Sequence, residues 1–298
     1  MKKGDLPPSR AVREIGHGRK LAEGDTETIW GWGTPAGRCR AARRGRRIAE
    51  AAQLKPGMRV LEIGCGTNLF TDMFAQSGAR LVAVDISSDL LEKAHLQDLP
   101  RHQVIFLQKR FEDCDVDGPF DAVIGSSILH HLEIEVALKK IYELLKPGGV
   151  MSFAEPNMLN PQAFLLFKLR FLFPYVSPDE TAFTRGQMKK LLAGSGFERT
   201  EITPCDWLHP AVPASWIRAV QRIGAFLEKT PVVREFSGSL YIRARRPLSN
   251  TNSESPAGKQ PTLHGPGTAV AREGGRTKNV LRNGLIHASH RGREDRGA

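Results

Sequence analysis

The segment Val60-Leu61-Glu62-Ile63-Gly64-Cys65-Gly66-Thr67-Asn68-Leu69-Phe70 decides the fold. A short apolar run stops at two glycines separated by one residue, and a helix-like segment starts near Asn68. Glycine belongs where the chain turns tightly and a ligand lies against the backbone without meeting a Cβ. The next apolar run, Leu81-Val82-Ala83-Val84, ends on Asp85, an acid placed to accept hydrogen bonds from ribose hydroxyls. Two glycines alone define only an ordinary strand-to-helix turn. Strand, Gly-x-Gly, helix, strand and acid in register point to an adenosine-bearing ligand. The third glycine of a dinucleotide fingerprint is missing, because Leu69 stands three positions after Gly66. Glu62 sets a carboxylate just before the turn, where it repels a pyrophosphate and attracts an ammonium. No Walker lysine is present either. The expected ligand is a cationic nucleoside.

Working outward, Val104–Leu107, Ala122–Ile124 and Val150–Phe153 are further short apolar runs, as expected of strands buried on both faces of a parallel sheet. Helical patterns lie between them. The clearest carries Ile134, Leu138, Ile141 and Leu145 on one face, with Glu135 and Lys139 paired outside and Pro147-Gly148-Gly149 as its stop. Ser88 is the expected cap of a helix beginning at Asp89. Thr184 and Gln187 form a capping box that opens a helix over 187–192. The alternation predicts a doubly wound α/β sheet.

The chain has 298 residues, 40% hydrophobic and 25% charged, with a net charge of +11. That composition excludes a wholly disordered, collagen-like or disulfide-scaffold chain. No uninterrupted apolar run reaches the length of a bilayer-spanning helix, and Lys2 and Lys3 are followed by no apolar stretch of a secretory signal. Cys39, Cys65, Cys114 and Cys205 are widely spaced, without CxxC or metal-ligand spacing, so reduced thiols in a cytoplasmic protein and no metal are expected. From Ser249 onward the composition turns to Ser, Asn, Gly, Pro and Arg, and a disordered tail over 249–298 is predicted. Arg38, Arg40, Arg43, Arg44, Arg46 and Arg47 crowd one stretch. Without interleaved aromatics they read as the solvated face of a helix rather than a nucleic-acid footprint.

LEIGCGTN, then VAVDIS, RFEDCDV, FDAVIGSSILHHL and LLKPGGVMSFAEP, resembles the successive motifs of class I S-adenosylmethionine-dependent methyltransferases over about residues 55 to 157. The upstream WGWGTPAGRCRAARRGRR and the late SGSLYIRAR are also similar to that superfamily. The resemblance implies a seven-stranded, mostly parallel, Rossmann-like sheet whose last strand, near Gly238–Ala244, is antiparallel. It implies S-adenosyl-L-methionine as cofactor, with Gly64, Cys65, Gly66 and Asn68 at the turn and Glu62 near the methionine ammonium. Asp85 and Ile86 fall at the ribose, Phe111 and Glu112 near adenine, and Ser126 near the methionine end. Two departures stand out. Asn68 replaces a common third glycine but tolerates left-handed backbone. Arg110 replaces a common acid, which leaves the adenine amino group to Glu112 or Asp113.

Methyl transfer is an in-line displacement, so the protein mainly aligns the reacting groups. His130, His131 and Glu155 follow strands at the edge where open α/β sheets bind ligands, and are the candidate catalytic residues. The plainer alternative makes the histidines a helix cap and Glu155 a shaper of its loop. Trp30 and Trp32 read equally as an aromatic lid or as a hydrophobic anchor. Cys65 reads as a small residue rather than a nucleophile.

The expected organisation is a helical lid segment over 1–50, a cofactor core over 51–157 and a cap insertion over 158–236, which includes a core helix and strand near 184–204. A final strand over 237–248 precedes the tail. Within the insertion, Phe164–Phe173 is apolar almost all round up to Pro174, and Phe167 and Phe171 are expected to share a helical face. Trp216, Val220, Ile223 and Leu227 form a stripe, with Arg218, Arg222 and Lys229 off it. Such a stripe is ordinarily core; beside a methyl-donor site it suggests a cap over a hydrophobic acceptor or a foot on a membrane surface. The reading is a methyltransferase acting on a small or lipid-like acceptor at oxygen or carbon. The alternatives are an inactive cofactor-binding interaction module and an RNA methyltransferase.

Overall fold

The computed structural model describes residues 9–96, 103–172 and 180–248. In chain order the elements are α1 (Arg10–Ala22), α2 (Thr26–Ile29), α3 (Pro35–Ala52), β1 (Arg59–Ile63), α4 (Leu69–Ala75), β2 (Arg80–Asp85), α5 (Ser88–His95), β3 (Val104–Gln108) and β4 (Phe120–Ser126). They continue as α6 (Ile134–Leu144), β5 (Leu145–Pro156), α7 (Pro161–Lys168), α8 (Arg185–Gly194), β6 (Glu198–Cys205), α9 (Ile217–Leu227) and β7 (Ser239–Arg245). The strands form one seven-stranded sheet in the order β3-β2-β1-β4-β5-β7-β6. The first five are parallel, and β7 runs antiparallel to both β5 and β6. This is the Rossmann-like methyltransferase sheet that the resemblance implied.

Strand alternation explains the two cores. Val60, Leu81, Ala83, Ala122 and Ile124 face one way and pack with Ile48 and Ala52 of α3, Phe74 of α4 and Leu91 of α5. Their neighbours Leu61, Ile63, Val84, Val123 and Met151 face the other way, against Leu138 and Ile141 of α6 and Met188 and Leu192 of α8. Both faces of the sheet are covered, which is why its strands read as unbroken apolar runs.

Local signals largely hold. The Thr184–Gln187 box is made in both directions, and α8 starts at Arg185. The cap of α5 is Ser87 rather than Ser88, its hydroxyl accepting from the Leu90 amide. The expected shared face of Phe167 and Phe171 is not formed. The α7 helix ends at Lys168, leaving Phe167 buried and Phe171 78% exposed. Pro174 and the tail over 249–298 lie outside the described residues.

The arginine stretch in α3 is mostly neither a solvated face nor a footprint. Arg40 pairs with Asp206 at 2.9 Å and Arg43 with Glu228 at 2.6 Å. Arg47 stacks over Tyr241. Arg44 is buried and donates to the hydroxyls of Ser126, Ser127 and Ser239. Only Arg38 and Arg46 of the six stay exposed. The stretch is an internal clamp that ties α3 to the sheet and to the segment after β6.

Candidate functional site

Register places the site. Ile63 pairs with Val84 and with Gly125, so the turn after β1, Asp85 at the end of β2 and Ser126 at the end of β4 share one carboxyl edge of the sheet. Gly64 turns there with φ +69°, and a Cβ on it would stand 2.5 Å from the Ile128 side chain. Gly66 follows at φ +53°, with Trp30 3.1 Å from where its Cβ would be. Asn68 is left-handed, at φ 72° and ψ 9°, which lets an asparagine stand where a glycine is common.

Above this edge lies a cavity of about 370 Å³. Of the residues expected at the cofactor, Gly64, Cys65, Gly66, Asp85, Ile86, Phe111, Glu112 and Ser126 line it. Asn68 does not: its side-chain amide donates to the Ala94 carbonyl, tying the turn to α5. Glu62 lies buried beneath the lining, with Oε2 lacking any hydrogen-bond partner. Burial pushes its carboxyl up to about 8, the nearby Thr71 hydroxyl opposing and Asp85 adding to the rise. A buried acid without a counter-charge is costly unless a cation meets it.

Asp85 already has structural work. Its Oδ2 accepts from the Gly66 amide at 2.8 Å and its Oδ1 from the Ser87 amide at 2.9 Å. Burial raises its carboxyl above the ordinary range against the pull of these amides. Each oxygen keeps a second acceptor position for a ribose hydroxyl. Arg110 engages Glu112, Asp113 and Glu133, so both acids that could replace the usual adenine contact are ion-paired. Burial raises the Cys65 thiol well above its usual range, with Asp85 and Glu62 adding to it, in keeping with an inert residue.

The two tryptophans divide the roles expected of them. Trp30 covers the glycine turn, whereas Trp32 is the anchor, edge-on to Phe70 at 5.6 Å and flanked by the Arg40 and Arg44 guanidinium groups.

Glu155, a candidate catalytic residue, does not line the cavity. It is fully buried behind the cavity wall, where Oε1 accepts from the Ile128 and Leu129 amides and Oε2 meets His130 Nδ1 at 2.7 Å. Burial alone would raise its carboxyl, but the imidazole and the amides hold it below the ordinary range. An ionised Glu155 fixes the proton of His130 on Nδ1 and leaves an electron pair on Nε2. His130 and His131 both line the cavity, their rings 4.3 Å apart, and Phe167 meets His130 edge-on at 6.2 Å. His131 Nδ1 contacts Glu14 Oε2 at 3.0 Å. Burial works against charge on His131, but Glu14, Glu180 and Glu155 hold its imidazole above the usual value. Burial lowers His17, which stands 3.7 Å from Glu180.

Glu14, His17 and Glu180 escaped the sequence reading. Arg10, Glu14 and His17 recur at helical spacing along the cavity face of α1, a polar stripe that was available as a signal. Gly18 lets that helix close on the Ser87 turn, since a Cβ there would meet the Ser87 hydroxyl at 2.5 Å. Nothing local marks Glu180.

Residues 61–151 match the model of a methyltransferase domain. The ubiquinone biosynthesis O-methyltransferase of Xanthomonas campestris pv. campestris is 36% identical over 115 residues, covering 37% of this chain and 48% of that relative. The protein of the same name from Psychrobacter arcticus is 27% identical over 188 residues, covering 56% of this chain and 72% of the relative. The chain thus spans about half the length of the first of these curated relatives. Magnesium protoporphyrin IX methyltransferase from Synechocystis PCC 6803, solved with bound S-adenosylhomocysteine, superposes with a TM-score of 0.54 at 18% identity, over 80% of this chain and 100% of that one. Residues 61–151 thus form a methyltransferase domain, and the sheet has the fold of class I S-adenosylmethionine-dependent methyltransferases. The chain's residues fit that cofactor: the unpartnered Glu62 oxygen suits an ammonium, and the missing Cβ atoms at Gly64 and Gly66 leave room against the backbone.

Proposed function

We propose that this protein transfers a methyl group from S-adenosylmethionine to an oxygen of a hydrophobic, lipid-like acceptor. The observation that carries the reading is the buried Glu155–His130 pair, which occupies Nδ1 and sets the His130 imidazole on the wall of a cavity continuous with the glycine turn. When bound, the cofactor supplies a methyl group on a sulfonium, whose C–S electron pair stays with sulfur as the acceptor oxygen forms the new C–O bond. His130 takes the proton that the acceptor hydroxyl gives up, and Glu155 stabilises the resulting imidazolium. Ile29, Ile128, Leu132, Leu166 and Phe167 give the cavity its apolar wall. The curated relatives named as ubiquinone biosynthesis O-methyltransferases support oxygen as the methylated atom and a lipid-like acceptor.

The apolar residues of the insertion support a peripheral membrane contact within the same reading. Phe171, Trp216, Ile223 and Phe226 are each more than half exposed, so the stripe from Trp216 is largely not core. Lys168, Arg218, Arg222 and Lys229 are exposed on the same segments, a composition suited to an anionic lipid surface. Among the described residues no helix is long and apolar enough to cross a membrane. Incubation with tritiated-methyl cofactor and cell extract tests the acceptor class. Label is expected in the organic phase; label confined to RNA or protein would overturn the reading.

A further inference from the structure

One ligand atom from each of His130, His131 and Glu180 lies within 4.8 Å of the others. Glu155 holds His130 Nδ1 at 2.7 Å and Glu14 holds His131 Nδ1 at 3.0 Å, while Glu180 Oε1 stands 4.0 Å from that same His131 nitrogen and 3.7 Å from His17 Nε2. An outer carboxylate is how proteins fix the tautomer and direction of metal-binding imidazoles, and on His130 it leaves Nε2 to coordinate. The two adjacent histidines follow β4, Glu180 lies just before α8, and all three meet on the wall of the cavity that also holds the glycine turn. We propose that His130, His131 and Glu180 form a site for one divalent transition-metal ion beside the methyl acceptor.

Two imidazoles and one carboxylate favour zinc, manganese or ferrous iron over magnesium or calcium, which prefer all-oxygen sets. Three protein ligands leave coordination positions open, as in catalytic rather than structural sites. Donors around such an ion stand about 3.3 Å apart, so binding draws the set together by up to about 1.5 Å. Glu155 and its two amides fix His130 and Glu14 holds His131, which makes Glu180 the residue that moves. The inference rests on the proposed transfer to oxygen, and it reassigns one task. Lewis-acid polarisation of the acceptor hydroxyl would replace proton transfer to His130. A plain ion-pair cluster fastening α1 over the cavity is the competing account.

The untagged full chain, stripped with a chelator and titrated with Co(II), tests the site. One equivalent is expected to bind with a visible d–d spectrum, and Glu180→Gln and His131→Gln are each expected to weaken binding at least tenfold. Glu14→Gln, at the outer carboxylate, is expected to weaken it about 10- to 100-fold. S-adenosylmethionine binding in each variant, measured by calorimetry, shows that the fold is kept. Failure to bind Co(II), or binding untouched by all three substitutions, would overturn the site. Full turnover by the stripped protein would overturn a catalytic ion and leave the methyltransferase reading with His130 as base. Stoichiometric binding lost in the variants, without methyl transfer to any oxygen acceptor, would support the site and count against the proposed function.

Discussion

Glu155 Oε2 and His130 Nδ1 meet at 2.7 Å in a fully buried contact, and the other Glu155 oxygen is held by two backbone amides. Three donors converge on one carboxylate, so the imidazole has a single tautomer and a single direction. Glu155→Gln keeps the shape but removes the charge that stabilises an imidazolium. Turnover is expected to fall about 10²-fold or more while cofactor affinity is unchanged. Steady-state kinetics with calorimetry checks this, and a loss confined to cofactor binding would contradict it.

Glu62 links cofactor binding to pH. Its carboxyl is raised to about 8 in the folded protein, so it is protonated at neutral pH and must ionise to meet an ammonium. Cofactor affinity is therefore expected to tighten as pH rises toward about 8, with release of one proton. Stability runs the opposite way. In the unfolded chain Glu62 ionises near its ordinary value of 4.5, so its protonated form favours folding at low pH, and that contribution is lost as pH rises to about 8. Glu62→Gln is expected to flatten both dependences, raising the Tm of the cofactor-free protein at pH 8 and weakening cofactor binding. Thermal melts and calorimetry across that range read the two effects.

Asp85→Ala removes the carboxylate proposed to hold the ribose, together with the partner of the Gly66 and Ser87 amides. The lost charge-assisted bonds are worth about 1.5–3 kcal/mol, so cofactor affinity is expected to fall about ten- to a hundredfold. Because the carboxylate also holds the glycine turn, a lowered Tm should accompany the loss. An unchanged Kd would show that the ribose is held elsewhere.

Arg44 and Arg46 are two positions apart and differ entirely in surroundings. Arg44→Ala strips three hydroxyls of their donor and leaves a buried void, so a loss of about 3 kcal/mol is expected in urea unfolding. Arg46 is exposed, and Arg46→Ala is expected to change stability by less than about 0.5 kcal/mol.

Phe167→Ser and Phe171→Ser should separate. Phe167 packs on His130, so its loss is expected to lower turnover and Tm together. Phe171 is 78% exposed, and its loss is expected to leave Tm and cofactor binding alone while reducing co-flotation with anionic vesicles. Equal effects at both positions would contradict the separation.

The sheet and the glycine turn were legible because their signals are local. Strands covered on both faces must be apolar throughout, and a backbone turning at Gly64 tolerates no side chain. Position along the sheet edge was legible too, which is how His130 and Glu155 were found. Depth was not: period and spacing cannot tell that Glu155 is sealed behind His130. The arginine stretch misled because Arg40 and Asp206 meet across 166 positions, a distance no local pattern bridges. His131 and Glu14 meet across 117. In α9 the pattern showed an apolar face, but a face implies core only where something covers it.

The most direct test of the account supplies cofactor carrying a ¹³C-labelled methyl group, with a phenolic lipid-like acceptor, to the wild-type chain and to His130→Ala. The product is read by carbon NMR. The account predicts a labelled methyl carbon bonded to oxygen, formed by the wild-type chain and lost in the variant although the variant still binds cofactor. A labelled carbon attached to nitrogen or carbon, or an oxygen-bound methyl formed equally well without His130, would contradict it.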